Sequence, residues 1–160
     1  MAIETEFKFL IKMPSEKLLS GLDESDIEQL YLPPTGGYHS ERVRARRRGD
    51  TVVYTHTRKR SISRISAIED EEIISEAQYL RYKAASTSGL TKKRYVMQSG
   101  GFYYEIDVYP FWSRTAVLEV EFDEDGEIPE VPECFSVVRD VTDVPEYKNY
   151  ALSLKIPPEE

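Results

Sequence analysis

Hydrophobic and polar residues alternate from the first positions of the chain. In "IETEFKF" (residues 3 to 9), Ile3, Thr5, Phe7 and Phe9 take one parity, while Glu4, Glu6 and Lys8 take the other. A period of two predicts a β-strand with one charged face and one mainly apolar face. Proline and serine open "PSEKLLSGL" (14 to 22) and a glycine stands near its end, so a short helix is expected there. "DIEQLYL" (26 to 32) alternates again before Pro33 and Pro34. "ERVRARRRGDTVVYTHTRKR" (41 to 60) reads as a hairpin turning at Arg48, Gly49 and Asp50. A strand follows over 66 to 74, and Ser75 caps a helix over 76 to 86 whose Ala77, Leu80 and Ala84 share a face. Residues 89 to 98 and 102 to 110 form a second hairpin about Gly100 and Gly101. One more strand covers 116 to 122, and one or two short helices fall between 137 and 156.

Strands joined mostly by hairpins, with a helix after the first and another after the fifth, predict a mainly antiparallel α+β fold. So many strands in 160 residues favour closure into a barrel, and the length suits a single domain over 1–160.

A solvated sheet face explains charged alternation on one strand, so the other strands decide the matter. Arg44 and Arg46 oppose Val43 and Ala45, Thr57 shares a face with Lys59, and Lys92 shares one with Arg94. Glu105 and Asp107 oppose Tyr104, Ile106 and Val108; Glu119 and Glu121 oppose Leu118, Val120 and Phe122. In "AIEDEEII" either Glu69 with Glu71 or Asp70 with Glu72 has the same spacing, and the first pair is preferred. Such recurrence points the charged faces inward. Buried charges need partners, and a polyanion with divalent cations supplies both kinds.

The net charge of −8 argues against general nucleic-acid binding, although basic residues gather between Arg42 and Arg64. Cys134 is the single cysteine, and His39 and His56 stand apart, so no Cys/His zinc site is expected. A metal must then be held by carboxylates, which suits magnesium, manganese or calcium. No apolar run approaches the roughly 20 residues of a membrane span, and a cytoplasmic protein is expected. Phe102, Tyr103, Tyr104, Tyr109, Phe111 and Trp112 offer rings for stacking on a base or thiamine, or for a core.

Taken in order, ExExK at Glu4, Glu6 and Lys8, RxR at 44 to 46, TxK at 57 to 59, ExE near residue 70, KxR at 92 to 94, ExD at 105 to 107 and ExE at 119 to 121 resemble the CYTH superfamily, the triphosphate tunnel metalloenzymes. The resemblance covers nearly the whole chain. It implies an eight-stranded antiparallel closed barrel that binds a linear triphosphate and depends on Mg²⁺ or Mn²⁺. It lays the substrate-binding role on Lys8, Arg44, Arg46, Lys59, Lys92 and Arg94, and the metal role on Glu4, Glu6, Glu119 and Glu121 with Asp107 close by. Glu4, Glu6, Lys8 and Lys59 form the implied catalytic group; Glu69, Glu71 and Glu105 line the tunnel further, and Arg60 and Arg64 are rim charges. The expected reaction is hydrolysis of inorganic tripolyphosphate. Thiamine triphosphate hydrolysis, ATP cyclisation and a non-catalytic polyphosphate-binding or nucleotide-binding barrel are the alternatives. The expected partner is a small-molecule triphosphate, not nucleic acid or membrane, bound by a monomer or homodimer.

Overall fold

A first strand long enough to serve two neighbours closes the sheet. The structure is a computed structural model and describes residues 2–160. Its strands are β1 (Ala2–Lys12), β2 (Asp23–Leu32), β3 (Ser40–Arg48), β4 (Thr51–Ser61), β5 (Ser66–Ile74), β6 (Ser88–Ser99), β7 (Phe102–Val108), β8 (Thr115–Glu121) and β9 (Val137–Asp140). Its helices are α1 (Glu16–Ser20), α2 (Glu76–Ala85) and α3 (Asn149–Leu154), with a 3-10 turn at Pro145–Tyr147. All ladders are antiparallel. Ala2 to Thr5 of β1 pair with β5, while Glu6 to Lys12 pair with β8. The order β5-β4-β3-β2-β6-β7-β8-β1 therefore returns to β5, and eight strands form a closed barrel. Where β5 ends, β9 takes over the free edge of β1 at Phe9 to Ile11. This ninth strand was not foreseen; at four residues, all exposed, it carries no alternation to read.

Turn chemistry follows the sequence. Gly49 and Gly100 adopt φ of 55° and 58°, a left-handed backbone that side chains disfavour, at the two predicted hairpins. Ser75 caps α2 by accepting from Gln78 N at 3.1 Å, and Gln78 Oε1 accepts from Ser75 N in return.

The buried face of α2 differs from expectation. Ala77, Leu80 and Ala84 are exposed, Leu80 at 53%, whereas Tyr79 is 3% exposed. The outer face of β4 presents aromatic partners, so tyrosines dock there: Tyr79 packs on Tyr54 and Tyr82 stacks on His56, with centroids 4.9 Å apart in each pair. Tyr79 also donates to Glu28 at 2.5 Å, which fixes Glu28 on the outside of β2.

Apolar packing lies in three places. One cluster coats the outside of β1, β7 and β8 under α1, with Ile11, Leu19, Ile106, Leu118 and Phe135. A second joins Leu32, Val43 and Ile74 to α2 through Tyr79. The third is inside the barrel at one end, where Leu10 and Val117 share the parity of the interior charges. There Tyr109, Trp112, Val141, Tyr147 and Leu152 complete a plug. The interior is thus divided along its axis into an apolar half and a charged half.

Glu159 pins the end of the tail by accepting from Arg114 N and Thr115 N at 2.7 and 2.9 Å. Truncating a plug side chain leaves a cavity, so Leu152→Ala should cost about 2–5 kcal/mol. A urea titration should show a lower midpoint at unchanged slope. An unchanged midpoint would contradict this packing.

Candidate functional site

Strand register sets the side of every predicted residue. Glu121 and Glu119 of β8 lie beside Glu6 and Lys8 of β1, Glu105 of β7 beside Glu119, and Glu69 of β5 beside Lys59 of β4. Together with Arg44, Arg46, Arg94 and Glu71 they line one cavity of about 490 Å³. The preferred reading of "AIEDEEII" holds: Glu69 and Glu71 face in, while Glu72 lies 3.5 Å from His56 on the outside.

The charges are sorted by wall. Glu4, Glu6 and Glu121 offer ligand oxygens that all lie within 4.8 Å of one another. Two lysines serve this side: Lys8 meets Glu119 at 3.2 Å, and Lys59 meets Glu4 at 3.2 Å and Glu69 at 3.4 Å. In the cyclic strand order β3 stands opposite β8, and from it Arg42, Arg44 and Arg46 enter the cavity. Among the described residues none of these three has a carboxylate within 4.0 Å. Neutral groups hold two of them. Arg44 donates to Gln29 Oε1 at 2.7 and 3.1 Å, Arg46 donates to Ser25 Oγ at 2.9 Å, and Arg42 Nε has no hydrogen-bond partner.

Arg42, Gln29, Ser25 and Tyr31 were missed. Arg42 shares the parity of Arg44 and Arg46, so the run "RVRAR" already contained it. Tyr31, Gln29 and Ser25 alternate along β2, but as neutral residues they gave no charge pattern. The tail also reaches the cavity, through Thr142, Lys148, Asn149 and Tyr150; of the two expected rim charges Arg64 lines it, whereas Arg60, on the outer parity of β4, does not.

Lys92 and Asp107 stand apart from the cavity wall. Both side chains are fully buried and 2.6 Å apart, and Arg94 clasps Asp107 through Nε and Nη2 at 2.8 and 2.9 Å. Lys92 also donates to Asn149 Oδ1 at 3.4 Å. With both oxygens engaged by cations, Asp107 is a base plate for Arg94, and it is not part of the Glu4, Glu6 and Glu121 group to which the resemblance brought it close. Parity gives the side a residue faces, and depth along the barrel decides whether it reaches the cavity. The predicted aromatic group also lies elsewhere: Tyr109 and Trp112 are in the plug and Tyr104 is in the outer core.

The carboxylates carry opposed shifts. Burial and repulsion from Glu119 push Glu6 up. Although Glu121 is exposed as a residue, partial burial of its carboxyl against the cavity and the nearby Glu4 and Glu105 raise it to about 7. Glu69 also rises to about 7 through burial and its hydrogen bond to Glu4. Glu4 itself, despite burial, is held well below the carboxylate range by Glu69 and Lys59. Burial opposes ionisation of Glu119, but Lys8, Lys92 and Arg94 together bring it down to about 2. Burial opposes ionisation of Asp107 as well, but Arg94 and Lys92 hold it far below its usual value.

A closed antiparallel barrel whose charges face inward, sorted into an acidic and a basic wall, is the class this fold and site define. The chain matches no protein-family model and no curated protein. Among solved structures it is 31% identical to the hypothetical protein NE1496, over 96% of this chain and 99% of that one, with a TM-score of 0.57. The chain belongs to the family of that protein. It shares the fold with the PH1819 protein of Pyrococcus horikoshii OT3, at 16% identity and a TM-score of 0.56. A conserved hypothetical protein of Pyrococcus furiosus matches at 20% identity and 0.52. Each match covers 76% of this chain and 80% of the other. Among the described residues, no helix is long and apolar enough to cross a membrane.

The raised carboxyls set a pH dependence. Glu69 and Glu121 keep protons that the unfolded chain releases near 4.5, so their stabilising contribution is present below about 4.5 and lost as pH rises through about 7. The metal-free protein should melt at a lower temperature above this window than within it. Glu121→Gln should flatten that fall. A melting temperature independent of pH across the window would contradict repulsion among these groups.

Proposed function

We propose that the protein hydrolyses a linear triphosphate with the help of a divalent cation, and that inorganic tripolyphosphate is the preferred substrate. The observation that carries this reading is the set of three arginines without carboxylate partners, facing the carboxylates of β1 and β8 across one cavity. A group that is anionic toward the arginines and bridged by cations to the carboxylates balances both walls. A linear triphosphate with Mg²⁺ or Mn²⁺ has that form. The CYTH resemblance supports the same reading.

The residues present fit a hard cation. Glu4, Glu6 and Glu121 bring oxygen atoms only, and their spread of 4.8 Å suits ligand bonds of about 2.0–2.6 Å to a common ion. Glu119, paired with Lys8, lies beside this set. A divalent cation held there supplies Lewis-acid polarisation of phosphate oxygens and offsets the mutual repulsion of the carboxylates.

The chain's own residues do the positioning. Arg42, Arg44 and Arg46 hold successive phosphates along β3, each guanidinium carrying several donors in a fixed plane. Arg94, its Nε and Nη2 fixed by Asp107 and its Nη1 donating to Glu105 at 3.0 Å, keeps one N–H free on each terminal nitrogen for a phosphate oxygen. Lys8 and Lys59 stand at the acidic wall, where they offset charge between carboxylate and phosphate. In the net reaction water adds to the terminal phosphorus, the bridging P–O bond breaks, and orthophosphate and diphosphate leave. Such catalysis rests on positioning and charge neutralisation rather than on a protein nucleophile. None of the six predicted aromatic rings lines the cavity, whereas Tyr31, Tyr150 and His39 do, so the inorganic substrate is preferred on the two charged walls alone and the substrate comparison decides against purine or thiamine.

Phosphate release from tripolyphosphate, thiamine triphosphate and ATP, measured with magnesium, with manganese and with a chelator, tests the reading. Turnover should be highest on tripolyphosphate and vanish with the chelator. Glu6→Gln should lose about a hundredfold or more, and Arg44→Ala should raise KM by about tenfold or more, the scale of lost charge-assisted contacts. Tight binding without turnover would favour the non-catalytic barrel, and cyclic AMP formation would favour the cyclase. Full turnover in excess chelator would remove the metal from the account.

A further inference from the structure

The cavity has two openings of different character. At the mouth away from the plug the exposed lining groups are the carboxylates Glu71 and Glu121, with half-buried Glu105 and Arg46 nearby. Near the plug a second opening is framed by residues 39–40, by the loop from Ser61 to Ser66 and by the tail from Val141 to Ala151. Arg64 and Lys148 are exposed here while lining the cavity, so the cavity reaches solvent between them. Neither has a carboxylate within 4.0 Å among the described residues. Ser61 and Ser63 add hydroxyls to the same edge.

This opening continues the basic wall. Arg42 lies at the plug end of the β3 arginine row, paired in register with Tyr31. Tyr31 in turn packs on Tyr150 of the tail at 5.2 Å. The row of cations therefore runs from Arg46 through Arg44 and Arg42 to the opening that Arg64 and Lys148 flank. Two exposed rings stand at this edge: Tyr150 is turned to Tyr31, and His39 Nδ1 accepts from Ser61 N at 3.4 Å, so the remaining groups at the opening are cationic or hydroxyl.

We propose that this second opening is an anion subsite for the continuing chain of a linear polyphosphate longer than triphosphate. The inference rests on the assignment of triphosphate to the arginine row. The chain end lies at the carboxylates, three phosphates occupy the row, and further phosphates leave between Arg64 and Lys148. An acidic mouth repels a polyanion, whereas a basic one draws it in, so the same charge difference makes the plug end the point of entry.

Competition against tripolyphosphate hydrolysis tests this with the full chain and magnesium, using tetrapolyphosphate, a long-chain polyphosphate and ATP as competitors. Affinity should rise with phosphate number. The double variant Arg64→Ala, Lys148→Ala should weaken the long chain by about tenfold more than it raises KM for tripolyphosphate, the scale of two partly exposed ion pairs. Added salt should narrow the difference. Competition constants independent of chain length, equal losses for all chains, or a loss confined to ATP would each overturn the subsite while leaving the triphosphate reading intact. Absence of tripolyphosphate hydrolysis in the unaltered protein would instead overturn the underlying assignment, and the subsite with it.

Discussion

Ionised groups brought inside a closed sheet must be balanced within it, and that constraint organises this protein. Removing a carboxylate or guanidinium from water costs several kcal/mol, roughly, even after relaxation. Part of the balance is built in. Asp107 sits between Lys92 and Arg94, and Lys8 and Lys59 answer Glu119, Glu4 and Glu69. The rest is left open by separating the walls: Arg44 and Arg46 of β3 rest on Gln29 and Ser25, neutral groups that orient without neutralising, and Arg42 Nε has no partner. A barrel that needed only stability would pair these charges across the lumen or replace them with apolar residues. Keeping them apart fits the anionic, metal-bearing ligand proposed above.

The same constraint explains where the apolar residues went. Because the lumen is charged, most hydrophobic burial moves outside, beneath α1 and α2, and to the plug inside one end. Between plug and cavity runs the polar layer of Tyr109, Asn149, Lys92 and Asp107, so the tail is keyed to Arg94 through hydrogen bonds as well as packing. Tail placement and site geometry are therefore one problem, although the residues lie far apart in sequence.

Much of this was legible in the sequence because strand parity is strict. The two-residue period of Glu4, Glu6 and Lys8, and of Glu119 and Glu121, separates the two faces, recurrence over seven segments points the charged one inward, and the number of strands in a short chain suggested the closure. What parity cannot give is depth: Lys92 has the same period as Arg94 yet lies below the cavity, and Val117 shares the face of Glu119 yet belongs to the plug. Nor does it mark neutral participants such as Gln29. The face of α2 was misread for another reason. Its alanines and leucine have helical spacing, but Tyr54 and His56 on the neighbouring strand reward tyrosines instead. The wall formed by Thr142, Lys148 and Asn149 depends on long-range packing that no local pattern records.

The central claim, that the separated walls share one anionic, metal-bearing ligand, is tested most directly by a crystal structure of the protein with manganese and a non-hydrolysable triphosphate. Anomalous scattering should place manganese among Glu4, Glu6 and Glu121, with phosphate oxygens in hydrogen-bond reach of Arg42, Arg44 and Arg46. Manganese and triphosphate bound outside the barrel, or a triphosphate in the cavity that leaves these arginines without phosphate contacts, would contradict it.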